Sequence, residues 1–134
     1  MDKEIFERQI FKVGDRVFDA LYGWGEVFSY KERHIFPMFV VFDDGKKAFY
    51  TWDGSFNKDC NPSLSFTEYK LEGFSQERQI KFPCTGAFGF RLDKFGICIR
   101  QESSGRYIEE SGGWWDFFAP MTFEKYCELK GLKL

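Results

Sequence analysis

From Phe11 onward the chain is a succession of short apolar runs cut by turn residues, the pattern of strands in a small barrel or sandwich rather than of helices. Val13-Gly14-Asp15-Arg16-Val17-Phe18 predicts a first strand, Tyr22-Gly23-Trp24-Gly25 a glycine-rich turn, and Glu26 to Tyr30 a second strand. Lys31-Glu32-Arg33-His34 reads as a charged loop. Pro37 opens a third strand running to Phe42, and Asp43-Asp44-Gly45-Lys46 predicts a hairpin with glycine in the left-handed position. From Lys47 to Trp52 the two-residue period of a strand puts Ala48, Tyr50 and Trp52 on one face and Phe49 and Thr51 on the other. Asp53-Gly54-Ser55 ends that strand, and Leu64-Ser65-Phe66 returns as a short fifth. Strands this short and this close in sequence suit closure into a barrel, because closure removes the exposed edges of an open sheet.

The same pattern divides the chain. Residues 1–10, polar with Ile5, Phe6 and Ile10 interspersed, form a lead-in; 11–69 form the barrel; 70–80, charged around Gly73 and Ser75, connect the halves; 81–134 form a β-rich second half. In that half Gly86–Leu92, Gly96–Arg100 and Arg106–Glu109 read as strands, with Ser103-Ser104-Gly105 as the hairpin between the last two. The run from Gly112 to Pro120 reads as an aromatic-rich turn leading to a terminal helix. Thr122 is its expected N-cap, Met121 and Tyr126 a hydrophobic staple, Gly131 its end, and Lys130 and Lys133 suit the negative end of the helix dipole. The halves echo each other, but their spacings do not align into a repeat.

Composition sharpens one question. Aromatic residues make up 21% of the 134 residues, with 18 Phe. A small barrel has few core positions, and large flat side chains bury the most area at each, so a Phe-rich core accounts for many of the rings. The competing account exposes some of them as a binding platform. Net charge is −2 at pH 7, and residues 1–69 carry 9 basic and 12 acidic side chains. The chain therefore has no general attraction for phosphate backbones or anionic lipid.

Chemistry-bearing groups are sparse. His34 is the only histidine and falls in a charged loop, where a solvated role is its default. Cys60, Cys84, Cys98 and Cys127 form no CxxC pair, so buried thiols are expected rather than a zinc site or disulfides. Asp43-Asp44 and Glu109-Glu110 are sequence neighbours, which strands turn to opposite faces. Gly23-Trp24-Gly25 and Gly86-Ala87-Phe88-Gly89 lack the strand-to-helix setting of a phosphate loop. No catalytic residue, cofactor or metal ligand is assigned. The candidate binding residues are Tyr22, Trp24, Tyr50, Trp52 and Phe56, which fall on or beside two loops of the barrel, where aromatics can surround a cation or a peptide side chain. Packing against the second half accounts for them equally well. Trp114, Trp115, Phe117 and Phe118 are read as core, holding the helix through Phe123, Tyr126 and Cys127.

The strings Phe11-Lys12-Val13-Gly14-Asp15-Arg16-Val17, Gly23-Trp24-Gly25-Glu26-Val27 and Phe39-Val40-Val41-Phe42-Asp43-Asp44-Gly45 resemble, in this order, SH3-like barrels of the Tudor type. The likeness covers residues 11–52 and is nearest to the C-terminal Tudor-like domain of UvrD/PcrA-type helicases and to the RNA-polymerase-binding domain of CarD-type regulators. It implies an SH3-like barrel and a transcription-linked protein contact, and it carries over no individual contact residue. A longer string through Leu64-Ser65-Phe66-Thr67 and Gly73-Phe74-Ser75-Gln76-Glu77-Arg78 is similar to short proteins of Bacteroides-type bacteria and their phages, which implies a mobile-element accessory protein. The expectation is a mostly β, cytoplasmic, non-enzymatic module that binds a protein partner. Binding of single-stranded nucleic acid by aromatic stacking, and a small-ligand enzyme, are the alternatives. No apolar run long enough to span a membrane is present.

Overall fold

The computed structural model describes residues 10–58, 60–75, 81–89 and 91–133. The lead-in, apart from Ile10, and the 76–80 part of the connection lie outside the described residues. Among the described residues the fold is mostly β, with two antiparallel sheets, one of them a half-barrel, and a single short C-terminal helix. The chain divides into two compact units at Glu72 and Gly73.

In the first unit β1 (Arg16–Asp19), β2 (Gly23–Tyr30), β3 (Met38–Phe42), β4 (Lys47–Tyr50) and β5 (Leu64–Ser65) form one sheet in the order β4-β3-β2-β1-β5. β1 starts later than the sequence predicts because Lys12 to Asp15 close a turn. The Asp15 carboxylate accepts from the Lys12 N–H at 2.8 Å, and the Gly14 N–H donates to the Val27 carbonyl at 2.8 Å. β2 begins earlier, taking in the Gly23-Trp24-Gly25 segment read as a turn. The reversal itself lies at Asp19 to Tyr22, where the Tyr22 N–H reaches the Asp19 carbonyl at 3.1 Å. Gly25 is a strand residue with a packing reason, since a Cβ there would lie 2.7 Å from the Val41 carbonyl and 2.8 Å from the Phe42 ring. The β3–β4 hairpin is as predicted, with Gly45 at φ 92° and its N–H on the Phe42 carbonyl at 2.9 Å.

Alternation sends Val17, Val27, Met38, Val40, Phe42, Tyr50 and Leu64 inward, where with Phe11 they form the core of this unit. One polar group shares that interior. Asp19, 1% exposed, accepts from the hydroxyls of Tyr50 and Ser63 at 2.8 and 2.7 Å and from the Leu21 N–H at 2.8 Å. The Tyr69 hydroxyl donates to the Ser63 carbonyl and accepts from the Ala20 N–H at 3.2 Å. A buried carboxylate costs several kcal/mol unless donors surround it, and here they tie β1 to β4 and to the entry of β5.

In the second unit β6 (Phe82–Phe88), β7 (Arg91–Gln101), β8 (Tyr107–Glu109), β9 (Trp114–Trp115) and β10 (Phe117–Pro120) run in the order β10-β6-β7-β8-β9. The strand predicted over Gly86–Leu92 straddles a real turn at Gly89, and the predicted aromatic turn over 112–120 is two strands separated by Asp116. Gly86, read as the start of a strand, sits mid-strand because the Trp115 indole lies on it, 1.8 Å from where a Cβ would be. Trp115, Tyr107 and Phe118 build the core around Cys84 and Cys98. In α1 (Phe123–Lys130) the Thr122 hydroxyl caps the Lys125 N–H at 3.1 Å, and Gly131, left-handed, lets the Leu132 N–H reach the Cys127 carbonyl at 2.8 Å. Cys127 is the buried anchor of the helix, whereas Phe123, expected to help hold it, is 58% exposed.

Candidate functional site

The five residues chosen from sequence do not share one surface. Tyr22, Tyr50 and Phe56 come together, but on the inner side of the sheet: Tyr50 stacks on Phe56 at 5.3 Å, Tyr22 meets Phe56 edge-on at 6.1 Å, and Tyr22 lies 4.9 Å from Phe42. Tyr50 is fully buried, and burial together with the neighbouring Asp19 pushes its hydroxyl well above the ordinary phenol range, so it remains a neutral donor. Trp24 is half-buried on β2, edge-on to Phe18 at 5.4 Å, with the Arg16 guanidinium 5.9 Å from its ring. Arg16 is held there by a bidentate pair with Asp43 at 2.8 and 2.7 Å, which lowers the Asp43 carboxyl and raises the guanidinium. Trp52 is 69% exposed in the turn after β4 rather than on the strand.

A different aromatic surface stands on the outward side of the first sheet. The alternation that buries Met38, Val40 and Tyr50 turns Phe39 and Phe49 outward, and the β3–β4 register sets those two directly opposite each other with rings 4.8 Å apart. On β2 a register shift between Val27 and Ser29 leaves Phe28 as the extra residue, and its ring meets Phe39 edge-on at 5.9 Å. Phe28, Phe39 and Phe49 thus form a row across three strands, with Phe28 63% and Phe49 60% exposed.

The β2–β3 loop extends this row. The Lys31 N–H donates to the Pro37 carbonyl at 2.8 Å and the His34 N–H to the Lys31 carbonyl at 3.4 Å, while Arg33 takes the left-handed conformation at φ 70°, uncommon for a side chain of its size. The tight loop presents Ile35, 79% exposed, and Phe36 to solvent. Arg33, His34, Ile35, Phe36, Phe49 and Phe56 line an open groove of about 800 Å³. His34, read as a solvated loop residue, is therefore on the wall of the groove. Phe56 is the one sequence-chosen candidate that reaches this surface.

The groove is apolar with a cationic rim. Its lining of Ile35, Phe36, Phe49 and Phe56 suits a hydrophobic side chain or a short apolar segment. Among the described residues no three His, Cys, Asp or Glu side chains gather as metal ligands, and no helix is long and apolar enough to cross a membrane. The cation–π contact of Arg106 over Trp114 at 4.0 Å, with Phe88 edge-on to the same indole at 4.3 Å, uses that tryptophan within the second unit.

Phe28, Phe39, Phe49, Ile35 and Phe36 were not singled out from sequence. One signal was present: assigning Tyr50 to the core places Phe49 outside. The run Met38-Phe39-Val40-Val41-Phe42, apolar at every position, conceals which face is solvated, and the register shift that exposes Phe28 has no mark in sequence. Compared with known proteins, the chain matches no family model, no curated protein and no solved structure.

Proposed function

We propose that the protein is a binding module that recognises a protein partner through the outward aromatic row of its first sheet, Phe28, Phe39 and Phe49, together with the Ile35-Phe36 loop. The observation that carries this reading is the exposure of Phe28, Ile35, Phe36 and Phe49 around the half-buried Phe39. Scattered exposed hydrophobics need no explanation, whereas a contiguous group rimmed by polar residues marks an interaction surface. The rings favour a protein over a nucleic acid. They pack edge-on and tilted against one another rather than standing apart for bases to enter between them, and the chain's charge of −2 supplies no attraction to phosphates. The strand order β4-β3-β2-β1-β5 is compatible with the SH3-like resemblance, and it is the resemblance alone that points to a transcription-linked partner such as RNA polymerase.

The test compares wild type, Phe28→Ser/Phe49→Ser and Trp24→Ala as immobilised baits for purified bacterial RNA polymerase and for a bacterial lysate. Proteins held by wild type and Trp24→Ala but released by the double variant support the reading. Retention indifferent to Phe28 and Phe49, or no retention above background by wild type, refutes it. Salt-sensitive binding of single-stranded oligonucleotides lost in the double variant replaces the protein partner with a nucleic acid.

A further inference from the structure

Cys84 and Cys98 lie on the neighbouring strands β6 and β7, both fully buried among Tyr107, Trp115 and Phe118. The register pairs Cys84 with Gly96 and Phe82 with Cys98, so the two cysteines are diagonal neighbours on one face of the sheet, and the residue directly opposite Cys84 has no side chain to separate them. Their Sγ atoms are 2.8 Å apart. Non-bonded heavy atoms begin to touch at about 3.5 Å, and sulfur is larger than carbon, so the two sulfurs sit inside contact distance.

We infer that Cys84 and Cys98 are a redox-modification site that takes a cross-strand disulfide, with a low-molecular-weight disulfide such as oxidised glutathione as the oxidant. One cysteine, as its thiolate, attacks a sulfur of the oxidant and releases one glutathione thiolate, leaving a mixed disulfide on the protein. The thiolate of the second cysteine then attacks the protein-bound sulfur of that mixed disulfide, forming the Cys84–Cys98 bond and expelling the second glutathione. The two protons lost by the cysteines end on the two released glutathiones, and the two electrons reduce the oxidant. The hydrogen bond with Cys98, together with burial, holds the Cys84 thiol far above its ordinary range, so in the closed fold it is not the attacking thiolate. The exchange therefore runs when β6 and β7 part, or while the unit folds, and the closed sheet then protects the product. Cys60 and Cys127 are also buried.

Refolding the full chain from denaturant in a glutathione redox buffer tests this without relying on access to the closed core. After trapping free thiols, the intact mass is expected to carry two trapping groups instead of four, with two hydrogens lost at the linked pair, and trypsin is expected to release residues 82–91 joined to residues 95–100, separable by reductant. A Cys60→Ser/Cys127→Ser variant is expected to give the same linked peptide, and Cys84→Ser none. Four trapped thiols, glutathione adducts without the internal link, or a link through Cys60 or Cys127 would overturn the inference.

Discussion

Asp116 gives the second unit a pH dependence opposite to that of ordinary carboxylates. It stands between β9 and β10, 5% exposed, and burial pushes its carboxyl up from 3.8 to about 6, against the lowering effect of the Gly89 N–H at 3.3 Å and of Arg106. A rise of about two units corresponds to roughly 3 kcal/mol at about 1.4 kcal/mol per unit. In the unfolded chain the carboxyl has its ordinary value, so between about pH 4 and 6 the folded state binds more protons than the unfolded state. This group therefore stabilises the fold relative to neutral pH as the pH falls through 6, and its cost is fully present above that point. Asp116→Asn keeps an oxygen for the Gly89 N–H and removes the buried charge. Urea unfolding followed through amide signals of β6 and β10 should show the variant more stable than wild type by up to about 3 kcal/mol at pH 7.5, with the difference disappearing near pH 4. An equal difference at both pH values would refute the reasoning.

Packing and capping make further predictions. Gly86→Ala drives a Cβ to 1.8 Å from the Trp115 indole, and should lower unfolding free energy by about 3 kcal/mol or prevent folding of the second unit, read by thermal melting. Tyr50→Phe removes one donor from Asp19 and should cost about 1–3 kcal/mol in urea unfolding, whereas Phe49→Ser, on the open face, should stay within about 0.5 kcal/mol of wild type. Thr122→Ala removes the cap on the Lys125 N–H and should cost about 1 kcal/mol, seen as faster amide exchange in the first turn of the helix.

The succession of five strands along the first unit was legible because it rests on local chemistry: inward alternation, the Asp43-Asp44-Gly45 hairpin and the return at Leu64. The helix was legible too, since Thr122 and Gly131 carry its caps within its own sequence. What misled were residues whose reason is tertiary. Gly25 resembles a turn glycine and Gly86 the start of a strand, yet each lies within a strand and is small because a carbonyl or a ring from another strand occupies its Cβ position. Trp52 continues the alternation of Ala48 and Tyr50, but the bend closed by the Gly54 N–H on the Thr51 carbonyl at 3.0 Å takes it off the strand. The candidate site suffered most. Loop proximity singled out Tyr22 and Tyr50, whose places are set by core packing, while a register shift exposes Phe28 and a strand apolar on both faces conceals the outward place of Phe39.

Hydrogen exchange on the first unit, with and without a captured partner, tests the central claim most directly. Binding through the aromatic row should slow exchange over 28–39 and 47–50 while leaving Cys84 to Phe88 in β6 unchanged. Slowed exchange confined to the second unit, with 28–39 and 47–50 unaffected, would contradict it.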